Sequence, residues 1–514
     1  MTKKQIQFHL PGALLSLVLA ALFVLFFGEC NTPLGPRIGS DNAMYLTMGT
    51  ALAGGAAPYS DIFDHKGPLL FLLQMIPQVI GGGYSTLLVY LQEVLFLFAS
   101  LRVLCAMARR LYVVQDWLLQ LAYLAFLGPY MDGGNLTEEY AALFILAGLY
   151  IALRVFGDED EGEENKRLVL PAALMGGFAM LAFMTRANNA LGLCGMVAGI
   201  AVALIAAQRF AQLFACAGGF LLGCAAAGLP VGLWLMAHGA LADAVYGSIL
   251  HNMMYAETAG ASRVHTLLFT PYGHGAMIMA AFTCAGAVCA YLRTKKLALP
   301  LGMVFAAGLA GMSCFISHKF YSHYLMVLSP FAAFGAAQLL ATLPRVCCCG
   351  KKRRVLTAAA ALCALVLVVS GYRANANRLH EIEIQGSFEQ DAKELFALVP
   401  EEDRDHFLAY RVEPKWYVYA DALPCMRFYF LQEILADADP AVMDEIVAGF
   451  ESDPPRWLVL YYNRPFSPPY DARVAAIFES EYEFVEAKGQ YQLLRLKAAE
   501  MKTESNAGNE AADE

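Results

Sequence analysis

The sequence predicts an α-helical polytopic membrane protein with a small α/β domain at its C-terminal end. Three observations carry that reading. Apolar residues make up 58% of the 514 and charged residues only 16%, against roughly 45–50% and about 25% in soluble domains. Apolar runs of about 20 residues, the length that crosses a hydrocarbon core of ~30 Å, recur from residue 11 to residue 371. The charge also changes sign along the chain: residues 1–371 hold 22 Lys/Arg against 17 Asp/Glu, a net +5, and residues 372–514 hold 14 against 28, a net −14.

Lys3 and Lys4 followed by an apolar run to residue 27 resemble a signal peptide, but no small-x-small cleavage site follows, so this is read as an uncleaved first span. Further spans are expected at about 86–106, 112–129, 138–155, 168–185, 190–207, 211–237, 272–292, 297–316, 324–342 and 355–371. If these alternate, Lys3/Lys4, Arg109/Arg110, Lys166/Arg167, Arg209, "RTKK" at 293–296 and "KKRR" at 351–354 collect on one side, the cytoplasm by the positive-inside rule. The N-terminus is then cytoplasmic, the protein sits in the cell (plasma) membrane, and the domain after residue 372 is extracytoplasmic. "PLLFLLQMIPQVI" at 68–80 is apolar but short, and Pro77 interrupts it. As a full crossing it would invert every later loop, so a re-entrant or surface-lying segment fits the charges better. The expected number of spans is about eleven, give or take two.

The division that follows is 1–372 membrane domain, 373–499 soluble α/β domain and 500–514 disordered tail. "WLVLYY" at 457–462 and "YQLLRL" at 491–496 read as strands, and "AVMDEIVAGF" at 441–450 has helical spacing of its apolar residues. An acidic domain repels phosphates, which excludes nucleic acid as a partner. Trp416, Tyr417, Tyr419 and Tyr429 have two readings, core packing or stacking on sugars. Most of the thirteen cysteines lie in apolar segments without metal-type spacing. Cys30 and Cys425 both fall on the outer side, and spacing alone does not establish a pair.

Only five basic residues of the membrane half fall on the outer side: Arg37, Lys66, Arg186, Arg263 and Lys319. Lys66, Arg186 and Lys319 stand at membrane edges, where an uncompensated charge is costly. Either they snorkel separately or they converge on one anionic partner. The outer histidines include His65, His251, His318 and His323. Among the acids, Asp41 and Tyr45 are four apart and share a helix face. Asp61 and Asp64 flank an "IF" pair, and Glu138 and Glu139 open a span. Capping and helix-dipole roles are open to Asp41 and to the Glu138/Glu139 pair.

"SDNAMYL…GGAAPYSDIFDHKGPLL" at 40–70, "TEEYA" at 137–141, "RANN" at 186–189 and "HKFYSHYLMVLSP" at 318–330 resemble the membrane-embedded GT-C glycosyltransferases. More narrowly, they are similar to bacterial members of the family that groups protein O-mannosyltransferases with the lipid A aminoarabinose transferase. The resemblance implies a GT-C-like helical bundle and a polyprenyl-phosphate sugar donor that enters from the membrane lipid. It matches Asp41 to the family's essential first-loop acid, Lys66 to the lysine that approaches the donor phosphate, and Glu138 or Glu139 to a second acid. The 318–324 stretch matches a late segment near the phosphate. Gly67 departs from the family's K-Pro-Pro pattern, and Asn42 stands where a second acid would favour a divalent cation. No cofactor is certain on this reading, and a divalent cation has no paired-acid motif behind it.

The chemistry expected is transfer of a sugar from a polyprenyl-phosphate-linked donor to an acceptor hydroxyl of a lipid, glycan or protein on the outer face. Asp41 is the expected base, with Glu138 and Glu139 as further catalytic acids. Tyr45, Tyr59, Asp61, Asp64, His65, Lys66, Arg186, His251, His318, Lys319, Tyr321 and His323 form the expected substrate-binding set, whose cations offset charge on the leaving phosphate. The alternative is a transporter or flippase of a lipid-linked sugar. That class should show internal repeats and mid-span ionisable residues, and Glu93 is the one acid in such a place.

Overall fold

Inside hydrocarbon a backbone amide has no water to bond, so each apolar run closes its own hydrogen bonds as a helix. The computed structural model describes residues 3–30, 32–157, 168–257, 262–317, 319–346, 349–462 and 471–497. Most of the 157–167 connector, Cys347, Cys348, His318 and the 500–514 tail lie outside the described residues. The chain divides into two compact units, Met1–Gln385 and Gly386–Glu514.

The first unit runs α1 (Lys3–Phe27), α2 (Ser40–Ala53), α3 (Pro68–Gly81), α4 (Thr86–Arg110), α5 (Asp116–Leu127), α6 (Thr137–Phe156), α7 (Val169–Thr185), α8 (Leu191–Ala206) and α9 (Phe210–Ala237). It continues through α10 (Leu241–Val245), α11 (Asn252–Glu257), α12 (Arg263–Phe269), α13 (Pro271–Thr294), α14 (Ala298–Ser313), α15 (Ser329–Val346) and α16 (Cys349–Asn375) into α17 (Arg378–Phe396). Each expected span coincides with a helix. Among the described residues seven helices are long and apolar enough to cross a membrane, and four shorter apolar helices accompany them. The protein is a multi-pass membrane protein.

Two segments need comment. α3 continues as helix through Pro77, and its 14 residues reach only about 21 Å at ~1.5 Å per residue, short of the ~30 Å core. It packs instead on α2, where a Cβ on Gly49 would lie 2.4 Å from the Gln74 carbonyl oxygen. The stretch between the spans expected at 211–237 and 272–292 is not a bare loop: α10 leads into a π-helical turn at Tyr246–His251 and then α11, and α12 precedes α13. The missed signal is local, since "LADAVYGSIL" spaces its apolar residues as a helix does.

Three long helix pairs meet backbone to backbone at glycines, which is how apolar helices gain contact where lipid is as apolar as leucine. A Cβ on Gly223 of α9 would lie 1.7 Å from the Ala173 carbonyl oxygen of α7, and one on Gly176 would lie 1.9 Å from that of Phe220. A Cβ on Gly195 or Gly199 of α8 would lie 2.5 or 2.4 Å from the Phe305 or Leu301 carbonyl oxygen of α14, and Gly286 of α13 meets Gly335 of α15.

The second unit carries a four-stranded sheet: β1 (Phe407–Ala409), β2 (Trp457–Tyr461), β3 (Tyr482–Lys488) and β4 (Tyr491–Leu496), in the order β1-β2-β4-β3. β1 and β2 are parallel and the other neighbours antiparallel. Trp416, Tyr417, Tyr419 and Tyr429 are buried, with Trp416 stacked 4.8 Å from Phe407, so the aromatic run is core.

Gly223→Leu should force α7 and α9 apart, while Gly218→Leu on the same helix meets open space. Detergent-solubilised unfolding should show the first variant destabilised by about 1–3 kcal/mol, the usual cost of overpacking, and the second unchanged.

Candidate active site

Asp41 sits in the first turn of α2, half-buried and, among the described residues, without a hydrogen-bond or ion-pair partner. Gly39, the residue before the helix, has no side chain to cap it. The task falls to Glu29, whose Oε2 accepts from the Gly39 N–H at 2.8 Å and from the Asn42 side-chain amide at 2.9 Å. Burial raises the Glu29 carboxyl to about 7 against the lowering effect of those two bonds. Cys30 is a free buried thiol beside Asn42, and Cys425 of the second unit is also free.

Tyr45, one turn after Asp41, is the centre of the constellation. Its ring lies 5.8 Å from Lys66 Nζ, and the charges of Asp41, Asp64, Glu138 and Arg186 all act on it. Lys66 is held from behind. Its Nζ is 3.6 Å from Asp64 Oδ1 and 3.2 Å from His65 Nε2, and His65 Nδ1 lies 2.9 Å from Asp64 Oδ1. Burial, and then Lys66, push the His65 imidazole down to about 4, so the ring is neutral at physiological pH. Burial alone would raise Asp64, but Lys66 and His65 outweigh it and hold the carboxyl well below the usual range. A neutral His65 that accepts from Lys66 at Nε2 carries its proton at Nδ1, the nitrogen nearer Asp64; this tautomer is inferred from the partners.

The segment is fixed by its neighbours. Tyr59, at a left-handed φ of 63°, donates its hydroxyl to the Lys66 carbonyl at 2.7 Å. The Gly67 N–H donates to the Thr185 carbonyl at 3.0 Å, and a Cβ on Gly67 would lie 2.2 Å from the Met184 carbonyl oxygen. A proline at residue 67 would have no N–H to give, which accounts for the "HKGP" departure. The same contact sets Lys66 beside the end of α7, where Arg186 follows in extended conformation.

Arg186 Nη1 donates to Glu138 Oε1 at 2.9 Å, and its guanidinium lies 4.1 Å from the Tyr324 ring centroid. Thr137 donates to the other Glu138 oxygen at 2.7 Å. Glu138 is therefore the buried counter-charge of Arg186. Tyr324 follows His323, whose Nδ1 is 2.9 Å from Asp132 Oδ2, and Tyr321 stacks on His323 at 5.7 Å. His251 is buried in the π-helical turn, its ring 6.2 Å from that of His65.

Asp61 and Glu139 have other partners. Asp61 is exposed and accepts from the Ala57 N–H at 2.7 Å, closing a turn. Glu139 faces Glu93: both carboxylates accept from the Asn135 N–H, at 2.8 and 2.7 Å, in a buried polar knot with Gln74 and Tyr140. Lys319 is half-buried, with its backbone N–H on Ser317 Oγ at 3.1 Å, and His318 lies outside the described residues. Sequence reasoning missed Glu29, Asp132 and Asn135, and it held Tyr324 only as part of the 318–324 stretch. The one local signal was "DGGN" at 132–135, whose four residues all take positive φ (46°, 90°, 74° and 55°), as a Gly-Gly turn invites. Among the described residues no group of three His, Cys, Asp or Glu side chains is arranged to hold a metal ion.

No family profile matches the sequence, and no curated protein matches it. Solved structures do match the fold. ArnT from Cupriavidus metallidurans bound to undecaprenyl phosphate superposes with a TM-score of 0.62 at 13% identity, covering 97% of this chain and 99% of that one. Its apo form gives 0.58 at 13% identity over 94% and 98%. The archaeal oligosaccharyltransferase AglB from Archaeoglobus fulgidus, in complex with an inhibitory peptide and a dolichol-phosphate, gives 0.50 at 13% identity over 87% and 69%. These are glycosyltransferases of the GT-C fold. The present chain has that fold, as its outer-loop motifs led one to expect.

Arg186→Met strands the Glu138 carboxylate in a buried place, a loss of about 3–5 kcal/mol for a broken buried pair. The double variant Arg186→Met/Glu138→Gln should recover much of it. Unfolding midpoints of the two single variants and the double variant check this; additive losses would show that the two side chains are not coupled.

Proposed function

We propose that this protein transfers a sugar from a polyprenyl-phosphate-linked donor to an acceptor hydroxyl on the outer face of the plasma membrane. The observation that carries the reading is the company of Asp41: a half-buried carboxylate with no partner among the described residues, one helical turn from Tyr45, whose ring lies near Lys66. The GT-C fold supports it, because ArnT was solved with undecaprenyl phosphate and AglB with a dolichol-phosphate.

In the proposed reaction Asp41 takes the proton of the acceptor hydroxyl as the oxygen attacks the anomeric carbon. The bond from that carbon to the phosphate oxygen breaks, and the polyprenyl phosphate leaves with the electron pair. Lys66 and Arg186 offset the charge gathering on the leaving phosphate. Tyr45, one helical turn from the base and with its ring near Lys66, is the residue we assign to hydrogen-bond the sugar. The basic loops favour a cytoplasmic N-terminus and an extracytoplasmic second unit. We read that unit as an aid to acceptor binding, since the acid–cation set is complete without it and its charge is poorly suited to gripping a phosphate.

Asp41→Asn keeps the side chain's size and removes the base. Assayed with a panel of polyprenyl-phosphate sugars for released polyprenyl phosphate, it should lose roughly 10²–10⁴-fold in kcat, the usual contribution of general base catalysis, while still binding donor. Transfer at near wild-type rate would overturn the assignment.

A further inference from the structure

The start of α2 is a helix end whose cap comes from far away, and this has a consequence for the base. The first N–H groups of a helix have no partner within it and need one from outside. Gly39 offers none from a side chain, and Glu29, ten residues upstream, accepts from the Gly39 backbone N–H and from the Asn42 side-chain amide, at the two positions that bracket Asp41.

We propose that Glu29 is a positioning residue for Asp41, holding the first turn of α2 where the base meets the acceptor hydroxyl. The proposal rests on the glycosyltransferase reading above.

The geometry is restrictive. A Cβ on Gly39 would lie 2.4 Å from Glu29 Oε2, and one on Gly133 would lie 2.4 Å from the Glu29 Cδ and 2.7 Å from its Oε1. The carboxyl is thus wedged between two glycines, in a slot that a single methyl on either side would fill. Its backbone is pinned as well. The Glu29 N–H donates to the Gly133 carbonyl at 2.7 Å, and the Arg37 N–H donates to the Glu29 carbonyl at 2.8 Å. Gly133 belongs to the left-handed 132–135 run, whose Asp132 grips His323. Glu29 therefore ties the base to the loop that also holds the residue before Tyr324. A displacement of about 1 Å in a reacting group can cost roughly 100-fold in rate.

The titratable groups on the elements around Glu29 are Arg37 and Cys30 on its own segment, Asp41 on α2, Asp132 on the 131–136 loop and Glu93 on α4. Burial raises the carboxyl to about 7, Arg37 opposes the rise and Asp132 adds to it. The carboxylate is the better acceptor for its two N–H donors. Lowering the pH through 7 protonates it and loosens the helix start, so the rate should fall from pH 8 to pH 6.

The experiment measures kcat and donor KM across pH 6–8 for the wild type, Glu29→Ala and Glu29→Gln. Glu29→Ala should lose about 10–100-fold in kcat at unchanged donor KM, the size of effect expected of a misplaced base. Glu29→Gln, which keeps an acceptor oxygen and cannot titrate, should rescue most of that loss and lack the limb near 7. A wild-type kcat in Glu29→Ala, or a wild-type limb in Glu29→Gln, overturns the proposal. If Glu29→Ala does not fold, the Glu29→Gln profile decides alone. If the wild type turns over no polyprenyl-phosphate sugar, the functional reading fails, and hydrogen–deuterium exchange of amides 39–43 still reads the anchor. Faster exchange in Glu29→Gln than in wild type at pH 8, with the difference vanishing at pH 6, supports it, and equal exchange at both overturns it.

Discussion

A guanidinium buried among helices must be neutralised where it stands, and that requirement organises the end of the bundle that carries Asp41. Arg186 is 9% exposed, and an isolated charge at such a place is far too costly to keep. Glu138 answers it at 2.9 Å and Tyr324 covers its face at 4.1 Å. Those two partners come from the start of α6 and from the turn before α15, so one charge fixes three parts of the chain. The Gly67–Thr185 hydrogen bond then attaches a fourth, delivering Lys66 to the same place. What looks in sequence like four unrelated polar patches is one electrostatic unit.

How much of this was legible depended on whether the signal was local. The helical runs, their lengths and the failure of residues 68–81 to reach across the core follow from composition and rise per residue. The pairing of Asp41 with Tyr45 follows from helical periodicity. Outer cations at membrane edges pointed to Lys66 and Arg186 because such charges are expensive, so a compensating partner had to exist. Its identity was beyond periodicity: Glu138 and Arg186 are 48 residues apart. Glu138 and Glu139 are adjacent and chemically alike, yet one answers Arg186 and the other joins Glu93. A helix turns about 100° per residue, so neighbours in sequence face different company. Glu29 was invisible for a related reason. It ends an apolar span, where a lone acid reads as an ordinary boundary residue, and only the fold brings Gly39 and Gly133 to either side of it.

The glycines show a second constraint acting with the first. Helices that meet at Gly176 and Gly223 (α7 with α9), at Gly195 and Gly199 (α8 with α14) and at Gly286 and Gly335 (α13 with α15) cannot slide without driving backbone into backbone. Such tight pairs suit a site whose working parts are split among α2, the α7–α8 link and the turn before α15.

Lys66 and Arg186 are consequently not equivalent cations. Arg186 is planar, sandwiched between a carboxylate and an aromatic face, and has little freedom to move. Lys66 carries its charge on a flexible stem, with Asp64 at the looser distance of 3.6 Å and a neutral imidazole at 3.2 Å. A rigid fork suits a fixed geometric reference, and a mobile ammonium suits a target that moves. In the proposed reaction the phosphate moves away from the anomeric carbon as it leaves. Arg186 then marks where the donor sits, and Lys66 can follow the departing oxygen. The acids behind them make this division workable, because each cation is already neutralised before the donor arrives and neither is drawn out to water. A donor phosphate has to compete with Asp64 for Lys66, and that competition eases only as charge builds on the leaving oxygen. Stabilisation that grows along the reaction is the kind that raises kcat and not merely affinity.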